Sequence, residues 1–224
     1  MTQAFMQRRL YQRSLAGALL LLVLSFPYLA AGSDSSALLT TRCLVLFPLL
    51  TFGLAVSLTG QPKAAPGRTR ASADAFRWYW VAFGCTAAAI IWALSLDPAL
   101  QHLGEVAFPS DWRTLLIRLP WQAATQPLLL VSLPCAAIRL YTKRSSAGIA
   151  AVVLLHQGLV FIQSFHHSSE ASPAFLFAVG VTAGLRALIL GTVFCASGVK
   201  GMVVAAAILH LRHAFHMAFP NLFL

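Results

Sequence analysis

Carboxylates are what this 224-residue sequence has least of: six Asp and Glu stand against sixteen Lys and Arg, for a formal charge of +10. All six, Asp34, Asp74, Asp97, Glu105, Asp111 and Glu170, read as loop or span-end residues. An aspartyl dyad, an H-E-x-x-H helix and a D-D-x-x-D-type metal site are therefore excluded. Cysteine is scarce as well. Cys43, Cys85, Cys135 and Cys195 lie in apolar runs without C-x-x-C spacing, so they read as buried thiols and not as a disulfide framework or a zinc finger. Charged residues of both signs make up only 10% of the chain and no internal repeat is present. The basic excess falls in short clusters between apolar runs, where membrane orientation and anionic lipid account for it, and nucleic acid is not an expected partner.

What the sequence has in abundance is hydrocarbon: 58% of residues are hydrophobic, and mean hydropathy is +0.76. That defines an all-α, polytopic membrane helix bundle. At about 20 apolar residues per span, seven spans are predicted, near 14–31, 38–59, 76–96, 121–141, 147–167, 172–195 and 199–219. Gln61 to Arg77 is a hydrophilic linker rich in Pro, Gly, Ala and basic residues. Between Asp97 and Pro120, the segment from Asp111 alternates polar and apolar residues at helical spacing and reads as an interfacial helix over about 111–120. The chain divides into a three-span region, residues 1–120, and a four-span core, residues 121–224.

Arg8, Arg9, Arg13, Lys63, Arg68, Arg70, Arg77, Arg139, Lys143, Arg144 and Lys200 fall on one side of this topology. Only Arg42, Arg113 and Arg118 fall on the other. The first side is then the cytoplasm, the N-terminus is inside, and the expected location is a bacterial inner membrane. Arg8, Arg9 and Arg13 ahead of an apolar run also have the outline of a signal peptide; the segment reads as a retained first span.

Arg186 and Arg212 remain, both inside spans. An arginine at the centre of a span costs about 2.5–3.5 kcal/mol on insertion scales, which makes such residues functional candidates. Helical projection places Ser132, Cys135 and Arg139 on one face, His156, Gln163 and His167 on another, and His210, His213 and Met217 on a third. Arg212 and His216 form a separate i, i+4 pair. With every carboxylate assigned to loops or span ends, neither arginine has an expected partner at its depth. The expectation is an anionic group from outside the chain: a peptide carboxylate, a lipid or prenyl phosphate, a haem propionate, or an acidic residue of another subunit. His210/His213 and His213/His216 also have the i, i+3 spacing that lets one helix offer two metal ligands. Gly180-Val-Thr-Ala-Gly184 is a G-x-x-x-G pattern that permits close helix packing.

From Gln126 onward the chain resembles the core of the CPBP family, the CAAX-processing and bacteriocin-processing intramembrane proteases. Pro134-Cys135-Ala-Ala-Ile-Arg139 takes the place of that family's E-E-x-x-x-R, Gln163-Ser-Phe-His-His167 that of F-x-x-x-H, and His210-Leu-Arg-His-Ala214 that of the closing H-x-x-x-N. Arg139, His167 and His210 match the motifs and the paired glutamates do not. The resemblance thus implies the scaffold without glutamate-dependent proteolysis.

Cys135-Ala-Ala-Ile-Arg139 is also similar to the C-S-G-L-R stretch of exosortases, and Ala183-Gly-Leu-Arg186 to their N-x-x-R. That likeness implies Cys135 as nucleophile, an arginine as stabiliser, and His210 or His213 as base. A third expectation is a b-type haem held by His156 and His210, with His213 nearby and an arginine on a propionate. The leading expectation is a membrane protein that binds an anionic or peptide-terminal group within the bundle. Lipid, a membrane peptide or a membrane subunit is its expected partner.

Overall fold

Proline and glycine set the bends of this all-helical chain. A computed structural model describes residues 3–60, 70–103, 109, 111–166 and 172–218, and no strand occurs among them. The helices are α1 (Gln3–Ala31), α2 (Ser36–Thr59), α3 (Arg70–Leu103), α4 (Trp112–Pro120), α5 (Leu133–Thr142), α6 (Ser145–His166) and α7 (Pro173–Ala218). Two π-helical segments, π1 (Trp121–Thr125) and π2 (Leu128–Ser132), join α4 to α5. The whole run Trp112–Thr142 is helical, so six helices among the described residues are long and apolar enough to cross a membrane.

Two helices run on past the bounds expected of them. The segment after Asp111 is continuous with the next long apolar helix. Asp111 caps it by accepting from the Thr114 amide at 2.8 Å, but the chain then runs on through Pro120 into the spanning helix, and Leu115 is fully buried. Its amphipathic pattern reflects packing against α1 and α7. The helix that carries the third span, expected over 76–96, also runs further: α3 continues to Leu103 with Pro98 inside it.

The last two predicted spans form one helical element with a single non-helical residue, Gly198, at φ 74° and ψ −164°. Forty-six residues in a straight α-helix would reach about 69 Å, more than twice the hydrocarbon thickness of about 30 Å. The element instead doubles back. Arg186 and Arg212, on opposite sides of Gly198, line the same cavity, although a straight helix would hold them about 39 Å apart.

The core sits on this hairpin: Leu190, Phe194, Met202 and Leu209 pack against Trp92 of α3, Val131 of π2, Cys135 of α5 and Val152 of α6. Hydroxyl pairs tie the first helices to the π segments, with Ser25 Oγ 2.7 Å from Thr125 Oγ1 and Ser57 Oγ 2.8 Å from Ser132 Oγ. Close approach is built in by glycine. A Cβ on Gly148 would stand 2.8 Å from the Cys135 carbonyl oxygen.

The backbone at Gly198 is open only to glycine, so Gly198→Ala is expected to destabilise the folded protein by about 1–3 kcal/mol. Gly158→Ala, where an added Cβ meets nothing within 4 Å, is expected to be neutral or stabilising. Unfolding of the two variants in detergent micelles measures the contrast.

Candidate functional site

Asp97 is fully buried, and three side-chain donors converge on it. Arg212 reaches it twice, Nε to Oδ2 at 2.9 Å and Nη2 to Oδ1 at 3.3 Å, and His216 Nε2 donates to Oδ2 at 3.0 Å. Arg212 Nη1 donates to the Leu209 carbonyl at 2.6 Å, and the guanidinium carbon lies 4.8 Å above the Trp92 ring. The expectation that no carboxylate reaches Arg212 is therefore wrong. It placed Asp97 just beyond a third span predicted over 76–96. Because α3 passes through Pro98, the carboxylate faces the hairpin instead of water. The i, i+4 pairing of Arg212 and His216 is what lets both reach one acceptor.

Arg186 has a different environment. Its Nη2 donates to the Gln122 carbonyl at 3.0 Å and to Gln122 Oε1 at 3.2 Å. Its Nε and Nη1 have no hydrogen-bond partner, and no carboxylate pairs with it, among the described residues.

The Gln122 carbonyl is available for a local reason. In π1 the Gln126 amide bonds to the Trp121 carbonyl, five residues back. The next bond in that register would run from residue 127 to Gln122, but Pro127 has no N–H. A guanidinium takes the place of the missing donor. Pro120, Pro127 and Pro134 recur at seven-residue spacing, and a π segment lies in each interval between them.

Arg186 borders a cavity of about 280 Å³. Trp92, Gln126, His156, Thr182 and Arg212 supply its polar edges, and Leu130, Val131, Leu159, Val160, Val179 and Leu190 are among its apolar walls. His156 Nδ1 lies 2.9 Å from the Val152 carbonyl and donates to it. Thr182 Oγ1 donates to the Ala178 carbonyl at 2.7 Å. Gln126 Oε1 and Trp92 Nε1 are buried without a partner. Since Asp97 neutralises Arg212, the uncompensated charge at this cavity is that of Arg186.

Among the residues singled out from sequence, Arg186, Arg212 and His156 meet at this cavity. Cys135 is fully buried elsewhere, with its Sγ 3.5 Å from Cys195 Sγ. Arg139 donates from Nη1 to the Gly60 carbonyl at 3.2 Å. His210 and His213 are buried with ring centroids 5.5 Å apart, and neither lines the cavity. His167 lies outside the described residues. No group of three or more metal-ligating side chains occurs among the described residues.

The G-x-x-x-G face receives a side chain from α6: Gln157 Nε2 donates to the Gly180 carbonyl at 2.8 Å and would stand 2.5 Å from a Cβ on Gly184. Arg186 points away from that face, as the 100° helical step requires, and meets Gln122. Asp97, Gln122, Gln126 and Trp92 were not anticipated. The proline spacing was the available signal for the two glutamines. The sequence matches no protein-family model, and neither curated proteins nor solved structures give a significant similarity.

Removing the Asp97 carboxylate strands Arg212 in the bundle. Asp97→Asn is expected to destabilise the protein by about 3–5 kcal/mol, and Arg212→Met in that background to recover part of the loss. A double-mutant unfolding cycle in micelles gives both numbers.

Proposed function

We propose that this multi-pass membrane protein holds an anionic group inside its bundle, at the Arg186 cavity. The observation that carries the reading is the contrast between its two intramembrane arginines. Arg212 is saturated by Asp97, a carbonyl and an aromatic face, whereas Arg186 keeps two nitrogens without partners beside a cavity. Arg186 lies about 18 Å along the helix from Gly198, close to the middle of its limb. An unmatched cation at that depth is costly unless a ligand completes it.

With α7 counted as two crossings, the chain spans the membrane seven times. The Lys and Arg distribution supports a cytoplasmic N-terminus in a bacterial inner membrane. The CPBP-like pattern is consistent with a scaffold that binds a lipid or peptide anion without glutamate chemistry. The exosortase-like and haem readings lack a comparable observation, since Cys135 contacts Cys195 and His210 does not border the cavity with His156.

The test is binding of dodecanoate to protein in phosphatidylcholine nanodiscs. Wild type is expected to bind saturably and to gain thermal stability, and Arg186→Met to lose both effects. Because it removes an unmatched buried charge, Arg186→Met is also expected to raise ligand-free stability, on the order of 1 kcal/mol. Equal binding by wild type and variant would refute the proposal.

A further inference from the structure

A groove separate from the Arg186 cavity runs between α3 and the first limb of α7. Its volume is about 470 Å³, and it is bounded by Trp80, Gly84 and Ala88 on one side and by Leu188, Thr192 and Ser197 on the other. No charged side chain lines it among the described residues, so what lies between the two helices is hydrocarbon. Length decides which hydrocarbon. At 1.5 Å per residue, Leu188 to Ser197 covers about 14 Å and Trp80 to Ala88 about 12 Å. One leaflet of the hydrocarbon core is about 15 Å deep. A spanning helix of another protein would need twice that length to lie along the groove, whereas a lipid tail needs one leaflet.

One end of the groove lies at the depth of the Gly198 turn. Asp97 holds Arg212 and His216 of the second limb beside it. Trp80 is 17 residues from Asp97 along α3, and Gly198 is 18 from His216 along α7, so Trp80 stands level with the reversal. Its indole is exposed, as for the aromatic residues that mark a bilayer surface. Lys200 is exposed two residues past the turn, and a Cβ on the adjacent Gly201 would run into Ser197, so Lys200 starts beside that end of the groove. We infer that the groove binds one acyl chain of an anionic diacyl phospholipid, whose phosphate meets Lys200. Apolar walls one leaflet deep take the chain, Trp80 sits at the headgroup boundary, and the lysine supplies the opposite charge. This site is independent of Arg186 and of any ligand held there.

The experiment is native mass spectrometry of the full chain released from mixed micelles, with phosphatidylglycerol and phosphatidylcholine of the same acyl chains in competition. Wild type is expected to retain one lipid and to prefer phosphatidylglycerol. Lys200→Gln is expected to lower that preference about fivefold, the scale for one lysine at a membrane surface, and still to retain a lipid. Gly84→Phe is expected to lose the retained lipid, because an added Cβ there meets nothing within 4 Å and the ring enters the groove without displacing a neighbour. Gly158→Phe on α6, equally open and away from the groove, controls for the substitution itself and is expected to keep the lipid. Equal retention by Gly84→Phe and Gly158→Phe would overturn the inference, and so would a headgroup preference unchanged in Lys200→Gln. A lipid-free dimer that Gly84→Phe disrupts would overturn it too, by giving the groove to a second copy of the chain.

Discussion

The buried carboxylate of Asp97 is the interaction on which the rest of this bundle depends. It sits on α3 and takes hydrogen bonds from Arg212 and His216, both after the Gly198 reversal. It therefore fixes the far limb of α7 against α3 at a defined depth. Apolar contacts alone would do this poorly, because lipid tails solvate Leu and Val as well as another helix does. The geometry is two-pronged from the guanidinium and single from the imidazole, so α7 cannot rotate or slip by a turn without stranding a charge. The apolar core formed by Trp92, Leu190, Phe194 and Leu209 packs in the register that this polar anchor sets.

A second constraint follows from the prolines at 120, 127 and 134. Each removes an amide from a spanning helix, and the helix answers by widening into π1 and π2. At Pro127 the consequence is chemical as well as geometric. A carbonyl that would otherwise close the ladder is left for Arg186 of another helix, so a backbone defect in one element becomes the anchor of a cation in the next. The same local geometry carries Gln126 to the cavity edge one turn beyond Gln122.

Much of the fold was legible in the sequence because hydrophobic length is a strong signal. The apolar runs fell on the observed helices, and the turn near residue 198 was placed between the last two spans. What could not be read was whether a polar residue next to a proline ends a helix or lies inside one. Asp97 was placed at the end of a span predicted over 76–96, yet α3 continues past it to Leu103 with Pro98 inside. That single misplacement hid the partner of Arg212. The helix at 111–120 carries the same double meaning: its polar–apolar alternation is the same whether the apolar face meets lipid headgroups or α1 and α7. For the site, the projection of Arg186 away from the glycine face was readable, and its neighbour was not. Finding Gln122 required knowing which carbonyl the π register leaves open.

The two arginines, set side by side, differ in how their charge is met. Both occupy the hairpin and both border one cavity, so burial alone does not distinguish them. The difference lies in what was supplied. Arg212 has a carboxylate, a carbonyl and an indole face. Arg186 has one side-chain oxygen and one carbonyl oxygen, both from Gln122 and both taken by the same nitrogen. Neutral oxygens can orient a guanidinium without cancelling its charge, so the field at the cavity stays positive and its donors stay aimed. Had Asp97 been shared between the two, both would be half-satisfied and neither would select a ligand. Pairing Asp97 with Arg212 leaves Arg186 as the guanidinium at this cavity that no carboxylate meets among the described residues.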